Sequence, residues 1–484
     1  MKIKLNLLNA FMVQINNFEM RTILFFILFI VVVGSTKAQD SLDIYLKIAA
    51  QNNPALKSKY NKYLASLQKV PQVGALPDPD LSFGYFIEPM EVLGGKQRAQ
   101  IQLMQMFPWR GALKAAKNEA AQMAQSDFEA FRAEKEELFF NVRESYFQLY
   151  FTDRQMVVND SALALLQSIE KLLLVKLGSE NSVSRESSSA RTAISDPSSR
   201  KPGMGMGSGN DTPAPTMNSG SSMNSSGSAL NELLQLQIET GTLKNTIASL
   251  KQRRTVMAIQ FNLLLNRETN IPVDLPRELP VPDGDYQSVA LFDSIKQNNP
   301  MLKMSKADIE AYRYRQTMNR KMGYPMVGIG LNYTVVQRSE MSASSMNGKD
   351  MIMPMLSVKL PIYRKKYTAS VREAQLLEQS ASENAINVQN MLFMEFTDVQ
   401  LSIDEANRNL RLTTQNRELT RQRFNLLRAQ LATSGSGLDE LLRTHKSLLD
   451  YQLSILQAET DKRIAYAGLQ KLKASPSPST GRRE

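Results

Sequence analysis

The side chains best equipped for chemistry in this sequence are thioethers. The chain carries 25 methionines, no cysteine and a single histidine, His445. A thioether is a soft ligand that selects Cu(I) and similar ions over hard cations. Met204, Met206, Met217 and Met223 fall in residues 200–228, a run made mostly of Gly, Ser, Pro and Asn. Such a composition stays flexible and does not pack, so packing gives these methionines no task. A second group, Met341, Met346, Met351, Met353 and Met355, follows in the other half of the chain. Two readings stand side by side: ligands for a monovalent soft metal, or residues tolerated in a loop.

The other common routes to chemistry are closed. Without cysteine there is no disulfide, thiolate metal site, thiol nucleophile or acylated N-terminal anchor. With one histidine, no histidine triad, zincin motif or imidazole cage fits within one chain. His445 itself reads as a surface residue one turn into a helix. The glycines at 203, 205, 207 and 209 superficially suggest a phosphate loop. They follow no strand, open no helix and lack a following Lys-Ser/Thr, so that reading fails. No catalytic constellation remains, and neither an enzyme nor a bound cofactor is expected.

Long elements must position whatever these residues do. Gln51–Lys57 reads QNNPALK, and Gln297–Lys303 reads QNNPMLK, 246 residues later. The same offset carries Pro79 onto Pro325, Gly84 onto Gly330, and Leu81, Phe83 and Tyr85 onto Val327, Ile329 and Leu331. Phe107-Pro108-Trp109-Arg110 answers Leu360-Pro361-Ile362-Tyr363-Arg364, and Ser228–Leu234 answers Ser436–Leu442. Four matches in one order mark a tandem duplication, with repeats over 39–270 and 271–473. Each repeat predicts a helix (41–69, 287–321), an extended region (78–109, 325–363), a very long helix and a return helix (229–265, 437–473). Residues 112–177 and 362–434 hold no Gly or Pro, enough for helices of about 100 Å. Leu438, Leu441, Leu442, Leu448, Leu449, Gln452, Ile455 and Leu456 recur at three and four, a coiled-coil stripe. Ala112, Ala115, Ala116, Ala120, Ala121 and Ala124 permit close helix approach. In the second repeat the turn is short, Ser434-Gly435-Ser436-Gly437. In the first an insertion, 178–228, replaces it.

The extended regions alternate. Leu81–Ile87 and Val327–Val335 put large apolar residues on one face and mostly small or polar ones on the other. Gln97–Phe107 and Ile352–Ile362 supply a second strand in each repeat. Each is about the length of a tilted transmembrane strand. Tyr85, Trp109, Tyr324, Tyr333 and Tyr363 stand near strand ends, as in an interfacial girdle. Four strands close no barrel, and an open edge does not survive in lipid, so the hairpins are either soluble or pooled among copies. At the N-terminus, Ile23–Val33 is an uncharged apolar run after Arg21, and Thr36-Lys37-Ala38 offers a cleavage site. It is too short to span comfortably and reads as a signal peptide over 1–38, with Met20 as an alternative start. Residues 474–484 read as a disordered tail. The formal net charge of +11 is spread along helices on an exported chain, which argues against nucleic acid as a partner.

These features together resemble the TolC-type outer-membrane efflux family: the two QNNPxLK helix starts, the paired hairpins, the FPWRG and LPIYR junctions and the duplicated hairpin tips. The resemblance covers about 40–473. It implies a mainly helical chain with a membrane β-barrel portion, in which a homotrimer pools four strands per protomer into a twelve-stranded barrel. The long helices then form a periplasmic tunnel below outer-membrane lipid. The tunnel tip docks on a periplasmic adaptor protein bound to an inner-membrane pump of the resistance-nodulation-division type. Docking tips map to Gly178, Leu230, Leu234, Gly437, Leu438 and Leu441. Asp439 and Glu440 form either an acidic ring at the tip or ordinary first-turn helix acids. The methionines point to the CusC-like heavy-metal branch and to Cu(I) or Ag(I) export through Met204, Met206, Met217 and Met223. Multidrug efflux or a type I secretion duct is the alternative. A periplasmic adaptor or a structural coiled coil fits less well, since adaptors have one helical hairpin and this chain has two.

Overall fold

The computed structural model describes residues 37–189, 224–284, 286–434 and 437–474. The signal segment, the tail after Ala474 and the four insertion methionines lie outside the described residues. Both repeats show the same order of elements. The first contains α1 (Lys37–Asn52), α2 (Pro54–Gly74), β1 (Asp80–Val92), β2 (Gly95–Phe107), α3 (Ala112–Ser189) and α4 (Asn224–Leu264). The second contains α5 (Val289–Asn298), α6 (Pro300–Met322), β3 (Met326–Gln337), β4 (Met351–Lys359), α7 (Arg364–Ser434) and α8 (Leu438–Lys473).

The single opening helix expected in each repeat is two helices. The break falls within QNNP, because proline disfavours helical geometry in the residue before it. That residue is extended in both repeats, Asn53 at ψ 124° and Asn299 at ψ 127°. Each asparagine then caps the helix that begins at the proline. Asn53 Oδ1 accepts from the backbone N–H groups of Ala55 and Leu56, and Asn299 Oδ1 accepts from that of Met301. The same side chains also donate. Asn53 Nδ2 reaches the Leu264 carbonyl at 3.2 Å, the last residue of α4. Asn299 Nδ2 reaches the Leu472 carbonyl at 3.1 Å, in the last turn of α8. One asparagine per repeat thus satisfies orphan groups at the start of one helix and the end of another.

α3 has 78 residues and α7 has 71, which at 1.5 Å per residue makes rods of about 105–120 Å. Three buried clusters hold them. One joins α1, α2, α3 and α4 around Tyr45, Val142, Tyr146, Leu149, Phe261 and Leu265. Its counterpart in the second repeat joins α5, α6, α7 and α8 around Ile295, Leu302, Leu392, Phe396 and Leu472. The third, toward the far end of the rods, joins α3, α4, α7 and α8. On α3, Ala112, Ala115, Ala120 and Ala124 are buried, while Ala121 stays exposed. Ion pairs link the rods: Asp153 of α3 with Arg254 of α4 at 2.5 Å, and Lys471 of α8 with Glu137 and Glu395 at 3.0 and 2.8 Å. Burial alone lowers the Lys471 pKa, but hydrogen bonds to both carboxylates outweigh it and raise the value.

The strands form one antiparallel sheet in the order β1-β2-β3-β4. Register pairs Leu81 with Leu103, Leu103 with Leu331 and Leu331 with Pro354. The shift in register between Tyr85 and Met90 marks an irregularity in β1. The two prolines within strands, Pro89 and Pro354, lie on the edge strands, where a missing N–H costs the ladder least.

Candidate functional site: the open sheet, its junction and the helical tips

The sheet register separates two unlike faces. Leu81, Phe83, Tyr85, Ile101, Leu103, Val327, Ile329, Leu331, Ile352, Leu356 and Val358 share one face, and every one of them is exposed. Among the described residues no element covers this apolar band. The opposite face carries Ser82, Gly84, Gln100, Gln102, Gly328, Gly330, Asn332 and Thr334, with a group of methionines among them. An apolar outer band with a mostly polar reverse is the pattern of a barrel wall in lipid. Among the described residues no helix is long and apolar enough to cross a membrane.

The junction between sheet and rods is aromatic. Trp109 and Tyr324 stack with ring centroids 5.1 Å apart, and Tyr363 is exposed nearby in sequence to β4. Trp109 and Tyr324 border a cavity of about 720 Å³ between the strand ends and α2, α3, α6 and α7. Lower down, Arg315 of α6 faces Glu119 of α3 and Glu373 of α7, each at 3.8 Å. Burial raises the Glu119 pKa, with Arg315 and Lys69 opposing. At the far end of the sheet, the Gly348 N–H donates to the Gly94 carbonyl at 2.8 Å, and Ser342 Oγ donates to the Leu93 carbonyl at 2.6 Å. The two hairpin loops are thereby tied together.

At the helical tips, the expected docking residues divide. Leu230 and Leu234 are exposed, whereas Leu438 and Leu441 are 0% and 1% exposed, packed in the third cluster. Gly437 adopts φ 98°, a left-handed geometry suited to glycine, immediately before α8. Gly178 is not at a turn: α3 runs through it to Ser189, and α4 starts at Asn224 rather than near 229. A single glycine inside a helix costs only about 1 kcal/mol, so a long rod tolerates it. Asp439 and Glu440 occupy the first turn of α8. Asp439 pairs with Arg443 at 3.0 Å and accepts from Gln235 of α4, while Glu440 pairs with Arg423 of α7.

His445 is buried, at 7% exposure, contrary to the surface reading. Its ring lies 6.0 Å from that of Phe424 of α7. It follows Leu441 and Leu442 on the packed stripe, a position the leucine periodicity already encodes. Burial lowers its pKa, with the Glu239 charge opposing. Among the described residues no group of three or more His, Asp or Glu could hold a metal ion.

Residues 291–474 match the family model described as outer membrane efflux protein. The match lies within the second repeat. Over the whole described chain the fold resembles solved outer-membrane channels. The chain resembles CusC with a TM-score of 0.67 at 15% identity, covering 90% of this chain and 92% of that one. It resembles the outer membrane protein VceC from Vibrio cholerae with a TM-score of 0.65 at 14% identity, covering 90% and 97%. For the MtrE outer membrane channel of Neisseria gonorrhoeae the TM-score is 0.63 at 14% identity, covering 90% and 89%. Comparison with curated protein sequences gives no match.

Proposed function

We propose that three copies of this chain form a passive duct across the outer membrane and periplasm, each giving four strands to a twelve-stranded barrel. The observation that carries this is the four-stranded sheet with an uncovered apolar face and two unpaired edges, set on rods of about 100 Å. An open edge in lipid leaves backbone groups unsatisfied, which only further strands repair. Residues 1–38 serve as the signal peptide in this reading. The tips, with Leu230 and Leu234 outermost in burial terms and Gly437 at the turn, meet a periplasmic adaptor served by an inner-membrane pump. Asp439 and Glu440 would then ring the tip opening.

The absence of native cysteine permits a direct test. Within one chain β1 and β4 are three strand spacings apart, about 14 Å, beyond the roughly 7 Å that a disulfide spans. Cysteine pairs placed on β1 and β4, such as Ser82→Cys with Ser357→Cys and its register neighbours, can therefore cross-link only between copies. A covalent ladder ending at three chains is expected from membranes of cells expressing the full chain. Monomer alone across every register pair would remove the pooled-barrel reading.

For cargo, the clustered thioethers favour Cu(I) or Ag(I) over organic compounds, with Met204, Met206, Met217 and Met223 as soft ligands. Copper and silver sensitivity of a deletion strain tests this, with dyes and bile salts in parallel. Full metal resistance from a variant with those four methionines changed to serine would remove their ligand role.

A further inference from the structure

The inner face of a barrel wall is ordinarily polar, yet this one carries a cluster of thioethers. Met104 and Met106 come from β2, and Met351, Met353 and Met355 come from β4. The register sets Met104, Gly330 and Met355 side by side across three strands, with Met106 and Gly328 in the next row. The two glycines open a trough between the methionine-bearing strands. A Cβ on Gly328 would lie 2.5 Å from the Met106 sulfur and 3.2 Å from the Met104 sulfur. A Cβ on Gly330 would lie 3.1 Å from the Met104 sulfur. The β2 thioethers therefore fold over β3 toward β4 in space that any larger residue would occupy.

From the far side, Met355 borders the same trough and Met353 stands one row on, beside Asn332. Strands about 4.8 Å apart put β2 and β4 about 10 Å from each other, a gap that two facing methionine side chains can bridge at its centre. Thioethers from two sides form a ligand set for a soft monovalent ion and a poor one for hard cations; the one carboxylate residue in that row, Asp80, is on β1, on the other side of Met104 from the trough. Nor are the thioethers a relic of duplication. Aligning Pro108 with Pro361 carries Met353 onto Gln100 and Met355 onto Gln102, so each repeat places methionine where the other does not.

We infer that the Met104, Met106, Met353 and Met355 thioethers over the Gly328–Gly330 trough form a Cu(I)/Ag(I) site on the channel wall. The site rests on the duct reading for its inward orientation and is separate from the insertion methionines. Repeated in three copies, it would line the barrel with soft ligands and let the ion pass without full rehydration.

Silver nitrate, added to full-length channel purified in chloride-free detergent buffer, tests this, with single-channel conductance in metal-free bilayers measured alongside. A variant with the insertion methionines changed to serine should keep its tight Ag(I) binding. Adding Met104→Leu, Met106→Leu, Met353→Leu and Met355→Leu should weaken binding by at least ~10-fold, the loss that even an outer-shell metal partner's removal causes. Leucine keeps the volume of methionine, so the trough stays filled. Unchanged Ag(I) affinity in the leucine variant would overturn the site, and retained conductance would leave the duct standing. Absence of conductance in the wild type would instead overturn the duct reading. A second measurement needs no variant: bound Ag(I) should slow peroxide oxidation of Met104 and Met355 relative to exposed Met322. Equal rates at all three would also overturn the site.

Discussion

The two QNNP asparagines do the same work in unequal surroundings, and the difference can be turned into numbers. Asn299 is buried, at 4% exposure, and its carbonyl partner Leu472 is 1% exposed. Asn53 and Leu264 are both half-buried. Replacing Asn299 with alanine removes an N-cap, worth about 1 kcal/mol. It also strands a buried carbonyl, adding about 1–3 kcal/mol. The total is about 2–4 kcal/mol. At Asn53 water can take over at the Leu264 carbonyl, so only the cap term of about 1 kcal/mol remains. Serine separates the two contributions, because its hydroxyl caps but does not reach the second helix. Asn299→Ser should cost about 1–3 kcal/mol, and Asn53→Ser close to nothing.

A trimeric membrane channel does not unfold in two states, so local opening is the better assay. Hydrogen exchange in detergent should follow the amides of the last turn of α8 and the first of α6. Asn299→Ala should accelerate exchange there by about 25- to 700-fold, at 1.4 kcal/mol per tenfold. Asn53→Ala should accelerate the equivalent turns of α4 and α2 by about fivefold. Equal acceleration at the two sites, or a wild-type rate in Asn299→Ser, would refute the stitching argument.

Acid should loosen the helical tips through His445. Its pKa is held below the ordinary 6.5 by burial, so the neutral ring stabilises the packed form above that pH. That contribution fades as pH falls from 6.5 through the lower folded value. Exchange over residues 438–450 should rise between pH 7.5 and 5, and Leu at position 445 should flatten the rise. The glycines paired by the repeat should behave oppositely: Gly84→Ala meets nothing within 4 Å, whereas Gly330→Ala places Cβ 2.8 Å from the Leu103 carbonyl oxygen. The second should cost about 1–3 kcal/mol and lower the yield of heat-resistant trimer on gels, while the first leaves it unchanged. At the tips, Leu230→Glu with Leu234→Glu should abolish efflux in cells without lowering trimer yield. Leu438→Ala should cost about 2–5 kcal/mol through its cavity and lower the melting temperature.

Much of the architecture is legible in the chain itself because its signals are local or periodic. A run without Gly or Pro makes a rod, alternation of large and small residues makes a strand, and Asn-Pro makes an extended residue followed by a capped helix. Duplication reveals itself because the two copies obey the same local physics. The helix break at QNNP was present in those terms and was obscured only by the continuous apolar pattern on either side. Burial is different, since it depends on what other segments come to lie alongside. The leucine stripe puts His445 on one side of α8, but only α7, bringing Phe424 against it, makes that side buried. Leu230 and Leu438 occupy matching places in their repeats, yet one is exposed and the other enclosed by α3 and α4. Gly178 looks like a turn, but a long helix absorbs one glycine. The methionines on β2 and β4 are more than 240 residues apart in sequence. Only the pairing of β2 with β3, and of β3 with β4, sets them across one glycine trough. Local propensity is a property of neighbours along the chain, so the sequence alone determined the elements. The partner of each face is a property of distant segments, so the tertiary structure alone decided which residues meet.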